Sequence, residues 1–126
     1  MVVLMRTLLL ATFAVIASLA SVGQESRTQD VHVAAERFSF TPSEIRTTTG
    51  TTLRITLQSD DTAHGFHIVG SDVDIEIPKR GRGDTTVTFT PEKAGKYTFE
   101  CSRLCGAGHS FMRGTIVVTD PEGKQP

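Results

Sequence analysis

Tryptophan is absent from this chain of 126 residues, and cysteine and methionine are scarce, with two and three copies. Neither sign of charge dominates, because 13 Lys and Arg residues stand against 14 Asp and Glu residues. Such a balance provides no basic field for a nucleic-acid backbone, so we expect no nucleic-acid partner. The length suits one domain of ordinary size and not two.

Helical periodicity is also missing beyond residue 23, where short apolar alternations are separated by Gly and Pro turns. Val31, Val33, Phe38 and Phe40 continue one alternating register. Further strands are predicted at Thr52–Leu57, Phe66–Ile68, Val73–Ile77, Thr85–Phe89, Lys96–Cys101 and Gly114–Val118. Many short strands with regular turns predict an all-β sandwich or barrel. Its core is expected to contain six aromatic residues: Phe38, Phe40, Phe66, Phe89, Tyr97 and Phe99.

The first 23 residues differ from everything after them. Thr7–Val22 is uncharged and apolar or small, and it follows Arg6, as in a secretory signal peptide or an N-terminal anchor. A helix over this run would be about 24 Å long against a hydrocarbon core of ~30 Å, which favours cleavage. Either interpretation places the domain outside the cytoplasm, and membrane attachment requires that the leader is retained. We divide the remainder into a linker (24–29), a folded domain (30–120) and a tail (121–126).

The segment Cys101–Met112 gathers two thiols, an imidazole and a thioether within twelve positions. Cys, His and Met are ligands that copper favours over harder competitors. Structural zinc would require paired ligands in two clusters and no methionine, and a mononuclear blue-copper site uses one cysteine and two histidines. Cys101 and Cys105, four residues apart, can instead bridge two coppers. A disulfide is the alternative in an oxidising compartment, but it leaves the spacing of His109 and Met112 unexplained.

This C-x3-C-x3-H-x2-M pattern, with a histidine far upstream, resembles the CuA domain of cytochrome c oxidase subunit II and the same centre in nitrous oxide reductase. Residues 61–68, DTAHGFHI, are similar to the D-x-x-H-G-F-H-V stretch of the short, single-anchor subunit II of B-type heme-copper oxidases. Residues 114–118 resemble the closing strand of that family. The resemblance extends from about Phe38 to Val118 and implies a cupredoxin-like Greek-key β-sandwich or barrel.

The resemblance also implies a site for two copper ions with six ligands. They are the bridging thiolates of Cys101 and Cys105, one imidazole for each copper from His64 and His109, the weak axial ligand Met112 and, opposite it, the backbone carbonyl of Arg103.

Three neighbours are candidates for supporting these ligands. His67 lies three residues after His64, and on an extended strand the two side chains take opposite faces, so His67 is expected at the rim of the site. Asp61 is expected to cap a turn and to orient the neighbouring ligand loop. Phe111 is expected to pack beneath the ligand loop. His32 is expected on an exposed strand without a role.

The function implied by the resemblance is electron transfer, not catalysis by this chain alone. Electrons would pass from a cytochrome c-like donor to an acceptor resembling oxidase subunit I, and a copper chaperone would load the site. A free-standing periplasmic copper carrier is the first alternative, which cleavage of the leader would favour. A copper-binding or delivery module is the second, although one methionine beyond the leader argues against it. Arg103 stands where the family usually has a carboxylate or amide, and its charge is expected to raise the potential and alter docking.

Overall fold

The computed structural model describes residues 25–123 of the chain. The predicted leader, residues 1–23, lies outside the described residues, as do the first residue of the linker and the last three of the tail. Within residues 25–123, no helix has the length and apolar character needed to cross a membrane.

The described part of the chain contains nine strands and one short 3₁₀ turn at His109–Phe111. In chain order the strands are β1 (Thr28–Glu36), β2 (Ser39–Thr41), β3 (Glu44–Thr48), β4 (Thr52–Ser59), β5 (His64–Ile68), β6 (Asp74–Ile77), β7 (Thr85–Phe89), β8 (Gly95–Glu100) and β9 (Arg113–Thr119). The all-β prediction is therefore confirmed.

The strands form two sheets, ordered β2-β1-β4-β7 and β3-β9-β8-β5-β6. β1 pairs with β4 and β3 pairs with β9 in parallel, whereas the other pairs are antiparallel. In the second sheet, His67 of β5 stands opposite Glu100 of β8. Because these two strands run in opposite directions, the beginning of β5 lies beside the end of β8. This pairing brings the upstream histidine to the residues that follow β8.

Side chains from both sheets meet in one apolar core. Leu53, Ile55 and Leu57 alternate along β4 and are fully buried, as expected for a strand with one face toward the core. The ring of Phe40 in β2 packs edge-on against Phe66 and Phe99 of the other sheet, with centroids 5.8 and 5.3 Å away. These contacts join the two sheets across the core.

The structure differs from the sequence prediction in three local features. The sequence pattern does not predict β3, because only Ile45 and Thr47 are buried in this strand. The prediction that Phe38 belongs to the core is wrong: a turn separates β1 from β2, which breaks the alternating register and leaves Phe38 37% exposed. β1 begins at Thr28, two residues before the predicted domain boundary. Phe89 and Tyr97 lie at the core margin, half-buried with their rings in contact.

Candidate metal centre

His64 is the first residue of β5, and its imidazole is completely buried. Its Nε2 lies 2.7 Å from Oδ1 of Asp61, in the loop that precedes the strand. Asp61 also accepts hydrogen bonds from the backbone N–H groups of Arg37 (2.8 Å) and Thr62 (2.7 Å). Because an ionised carboxylate is an acceptor only, it retains a proton on Nε2 of His64, and Nδ1 is left with a lone pair for a metal.

The pKa of Asp61 supports this arrangement. Burial raises the pKa of the carboxyl, but the hydrogen bonds from His64 and from the N–H groups of Arg37 and Thr62 outweigh burial. The net pKa lies below its ordinary value, so Asp61 is ionised at neutral pH.

The segment between β8 and β9, here called the ligand loop, comprises Cys101–Met112. Its first and last residues are joined, because the N–H of Cys101 donates to the carbonyl of Met112 at 3.1 Å. Gly106 has φ of 147°, a backbone conformation that side-chain-bearing residues rarely adopt. Its carbonyl accepts the N–H of His109 at 3.2 Å and opens the 3₁₀ turn. The hydrogen bond between Cys101 and Met112 therefore holds the two ends of the loop together, and several of its side chains point inward.

Two thiols and one imidazole of this loop meet the imidazole of His64 from β5. The sulfurs of Cys101 and Cys105 are 3.6 Å apart, and both cysteines are buried and free. Nδ1 of His64 lies 4.0 Å from the sulfur of Cys101, and Nδ1 of His109 lies 3.6 Å from the sulfur of Cys105. The donor atoms of His64, Cys101 and Cys105 all lie within 4.8 Å of one another. Each sulfur therefore has an imidazole of its own.

Two weaker donors flank the sulfurs. Sδ of the buried Met112 lies 3.9 Å from the sulfur of Cys105. The backbone carbonyl oxygen of Arg103 lies 3.0 Å from the sulfur of Cys101. The structure thus brings all six residues predicted as ligands together, and each of the two weaker donors lies beside a different cysteine.

The chemistry of these donors tests whether copper fits. Burial raises the pKa of the Cys105 thiol to about 11, and its contact with the Cys101 thiol adds to the effect. Two thiolates at this separation require nearby positive charge, which a bound metal ion provides. Two thiols, two imidazoles and a thioether are soft and borderline donors that copper accepts, whereas thioether ligation is foreign to structural zinc. The residues present therefore fit copper.

Gly65 allows the ligand loop to approach β5 closely. A Cβ atom at this position would lie 2.2 Å from Oγ of Ser102 and 2.7 Å from the backbone nitrogen of Arg103. The N–H of Gly65 points to the sulfur of Cys101 at 3.4 Å, a contact that favours the thiolate. The residue sits within the HGF stretch that carries the family resemblance, and that context was the available signal for its role.

The other predicted neighbours occupy different places. His67 is half-buried, with Nδ1 3.8 Å from Oε1 of Glu100. His32 is exposed on β1. The prediction that Phe111 packs beneath the ligand loop is wrong, because this side chain is 83% exposed. Phe38 takes that position instead.

Two large apolar side chains of the ligand loop are exposed. Leu104 of the ligand loop is 87% exposed, and Phe111 is the second large apolar side chain of the loop at the surface. Arg103, the residue before Leu104, adds a positive charge, with its Nε 3.8 Å from Oε2 of Glu76. The ligand loop therefore carries both metal donors and two exposed apolar side chains, Leu104 and Phe111.

Comparisons with known proteins agree with this fold. Residues 8–118 match the family described as the cupredoxin-like domain. The chain is 35% identical over 91 residues to cytochrome c oxidase subunit 2 of Thermus thermophilus, covering 71% of this chain and 65% of that protein. A second subunit 2 from that species matches over 52% of its length, so the chain spans about half to two-thirds of these relatives. Nitrous-oxide reductase of Stutzerimonas stutzeri is 34% identical over 61 residues, which are 48% of this chain and 9% of that enzyme.

Solved structures give the same result for the fold. A heme-copper terminal oxidase dimer matches with a TM-score of 0.68 and 26% identity, covering 78% of this chain and 68% of that chain. The periplasmic domain of cytochrome oxidase subunit II of Bradyrhizobium japonicum matches in fold, with a TM-score of 0.66, 19% identity and coverage of 74% and 85%. The chain therefore belongs to the cupredoxin-like domain family and is homologous to cytochrome c oxidase subunit 2.

Proposed function

We propose that this domain binds two copper ions in a CuA-type centre and transfers electrons from a cytochrome c-like donor to a heme-copper oxidase outside the cytoplasm. The similarity to oxidase subunit 2 over 91 residues supports the assignment to respiratory electron transfer. The ligands are Cys101 and Cys105, His64 and His109, Met112 and the carbonyl of Arg103.

The duplication of the donor set carries this proposal. Each of two sulfurs 3.6 Å apart has its own imidazole, at 4.0 Å for His64 and 3.6 Å for His109. A mononuclear blue-copper site uses one cysteine and two histidines, so the second cysteine would have no place in it. Two metal ions sharing both thiolates account for every donor in the cluster.

The protein contributes a site that changes little during electron transfer. The hydrogen bond from Cys101 to Met112 closes the ligand loop, and Asp61 fixes the orientation of the His64 ring. Burial of the sulfurs excludes water from them. Bound copper supplies a one-electron redox couple. His109 is half-buried, whereas His64 is buried. Of the two ligand imidazoles, His109 therefore offers the shorter electron-transfer path to a partner docked at the surface.

A delivery module is less well supported by the same donors. Such a protein exchanges its metal through accessible ligands, whereas His64, Met112 and both cysteines are buried. A free-standing carrier has the same centre and differs only in its partner. Purification of the native protein distinguishes these two functions. A heme-bearing oxidase subunit that purifies with it indicates an oxidase subunit, and its absence indicates a free-standing carrier.

Copper reconstitution followed by metal counting and electron paramagnetic resonance tests the centre. We expect two coppers per chain and a delocalised mixed-valence signal. His64→Ala should abolish that signal, and the matched variant His67→Ala, three residues along the same strand, should retain it. One copper with an ordinary four-line signal in the wild type, or binding of zinc alone, would contradict the proposal.

A further inference from the structure

We infer that Arg37 and Phe38, in the turn between β1 and β2, are positioning residues that hold the ligand loop in its metal-binding shape before metal arrives. The inference rests on the proposed function only in treating Cys101–Met112 as the copper-binding loop. Neither residue supplies a ligand, and no sequence motif marks either of them.

Arg37 contacts both halves of the donor cluster. Its side-chain Nε donates to the backbone carbonyl of Cys105 at 2.7 Å. Its backbone N–H donates to Oδ2 of Asp61 at 2.8 Å, and Oδ1 of the same carboxylate holds His64. One residue of the β1–β2 turn therefore joins the downstream ligand loop to the loop that carries the upstream histidine.

Phe38 supports the same loop by direct packing. A Cβ at Gly108 would lie 2.4 Å from Cδ2 of the ring, and a Cβ at Gly106 would lie 3.0 Å from Cε1. The backbone of the ligand loop thus rests against the ring at two points where only glycine leaves enough room. The ring remains 37% exposed, so its position is at the site rather than in the core.

The composition of the ligand loop explains why it needs external support. Gly106 and Gly108 flank Ala107 between the ligands Cys105 and His109, and glycine loses more conformational freedom on ordering than any other residue. The 3₁₀ turn that follows has only three residues and no side-chain cap. Without Arg37 and Phe38, the second sulfur and its imidazole would be placed mainly by the backbone hydrogen bonds within the loop itself.

The two contacts of Arg37 can be separated by mutation. Arg37→Ala removes the bond to the Cys105 carbonyl but retains the backbone bond to Asp61, so it loosens one half of the cluster. Arg37→Lys preserves a cationic donor and should restore part of the effect. Arg54→Ala is the matched control. Arg54 is also hydrogen-bonded, to Asp30, but it is exposed in β4, a strand that contributes no metal donor.

The first measurement uses reduced, metal-free protein and follows alkylation of Cys105 by iodoacetamide with peptide mass spectrometry. This thiol is buried, so its rate of alkylation reports opening of the loop. We expect Arg37→Ala to raise the rate by roughly two- to tenfold, the range that one net hydrogen bond represents, and Phe38→Ala to raise it through the loss of packing. Arg37→Lys should lie between Arg37→Ala and the wild type, and Arg54→Ala should match the wild type.

The second measurement uses copper-loaded protein and follows metal release to a chelator together with the resonance spectrum. Release should accelerate in Arg37→Ala and Phe38→Ala, and the spectrum should broaden, while Tm stays close to that of Arg54→Ala. Equal alkylation and release rates for Arg37→Ala, Phe38→Ala and Arg54→Ala would overturn the inference. If the wild type fails to bind two coppers, the proposed function fails, but the alkylation series still decides whether the two residues position the loop.

Discussion

The Nε2 atom of His64 lies 2.7 Å from Oδ1 of Asp61, and this contact determines which ring nitrogen faces the thiols. Nδ1 of the same ring lies 4.0 Å from the sulfur of Cys101. A carboxylate that orients an imidazole in this way also makes the ring a better metal ligand. The orientation of His64 is therefore built into the protein before any metal binds.

Removal of the Asp61 carboxylate should weaken copper binding. We expect Asp61→Ala to lower copper affinity by about 10- to 100-fold, the range found when such outer contacts of metal-binding histidines are lost. Asp61→Asn keeps an oxygen that can accept from Nε2 and should lose less. Competition with a chelator of known affinity measures the change. Asp60→Ala, one residue away and exposed, is the control, and an equal loss in both alanine variants would refute this role of Asp61.

The raised pKa of Cys105 predicts how the metal-free protein responds to alkaline pH. The thiol has an ordinary pKa of 9.0 and a folded value of about 11. Below pH 9 it is protonated in both states, but between pH 9 and 11 the unfolded chain ionises first and is stabilised. The free energy of unfolding should therefore fall across this window, by an amount on the order of 2 kcal/mol.

Urea unfolding of the reduced, metal-free protein at several pH values between 8 and 11 measures this loss. Cys105→Ser is the control, because it lacks the thiol but keeps Tyr97 and the lysines, which also titrate in alkaline solution. The difference in stability between wild type and variant should shrink or reverse as pH rises. A constant difference would contradict the prediction.

Local sequence patterns predicted most of the fold. Alternation along Thr52–Leu57 and Thr85–Phe89 identified β4 and β7, because a strand with one buried face repeats every second residue. The ligand loop was identifiable for a similar reason, since its donors are close in sequence. The all-β class follows from such short-range information alone.

Contacts between distant segments could not be predicted in the same way. The bond from Arg37 to the Cys105 carbonyl spans 68 residues, and neither residue type nor spacing indicates it. Phe38 was expected in the core and Phe111 beneath the loop, yet Phe38 lies against the loop glycines and Phe111 faces solvent. An aromatic residue suits either environment, so only the turn geometry decides which one occupies the space.

Gly65→Ala should disrupt the site by steric conflict. The added Cβ would lie 2.7 Å from the backbone nitrogen of Arg103, and that backbone cannot rotate away as a side chain could. We expect a loss of about 2–4 kcal/mol in the free energy of unfolding, or displacement of the ligand loop with loss of copper binding. Thermal unfolding and copper titration measure the two outcomes.

Gly70→Ala is the matched control for that substitution. Gly70 lies in the turn after β5 and has φ of +83°, but a Cβ added there would meet no other atom within 4 Å. Its substitution introduces backbone strain alone, of about 1 kcal/mol, and should leave copper binding intact. If both alanine variants lost the same stability and both bound copper normally, close approach at Gly65 would not matter to the site.

Neutralisation of Arg103 should lower the reduction potential. Its guanidinium favours the reduced, less positive state of a bound metal centre, and Glu76 at 3.8 Å offsets only part of that charge. For an exposed charge we expect an effect of about 0.5–1 kcal/mol, which is a few tens of millivolts for one electron. Redox titration of Arg103→Gln measures the shift, and Glu76→Gln should move the potential in the opposite direction. A rise in the potential of Arg103→Gln would exclude this electrostatic effect.

The exposed apolar side chains of Leu104 and Phe111 should govern how quickly the domain exchanges electrons with a c-type cytochrome. Both side chains belong to the ligand loop, so a partner that covers them comes close to the buried sulfurs. Burying even half of a leucine side chain contributes about 1 kcal/mol, so Leu104→Ser and Phe111→Ser should each slow bimolecular transfer by roughly three- to tenfold. Stopped-flow mixing of reduced cytochrome with the copper-loaded protein measures this rate.

A control residue and the dependence on ionic strength distinguish docking through Leu104 and Phe111 from electrostatic steering. Val69 is an exposed apolar residue in the turn after β5, at the opposite end of that strand from His64, so Val69→Ser should leave the rate unchanged. Contact between apolar surfaces is screened little by ions, whereas attraction between charges falls as ionic strength rises. A rate that drops steeply with salt and is indifferent to Leu104→Ser would assign docking to Arg103 and its charged neighbours, because only their interactions are weakened by added ions.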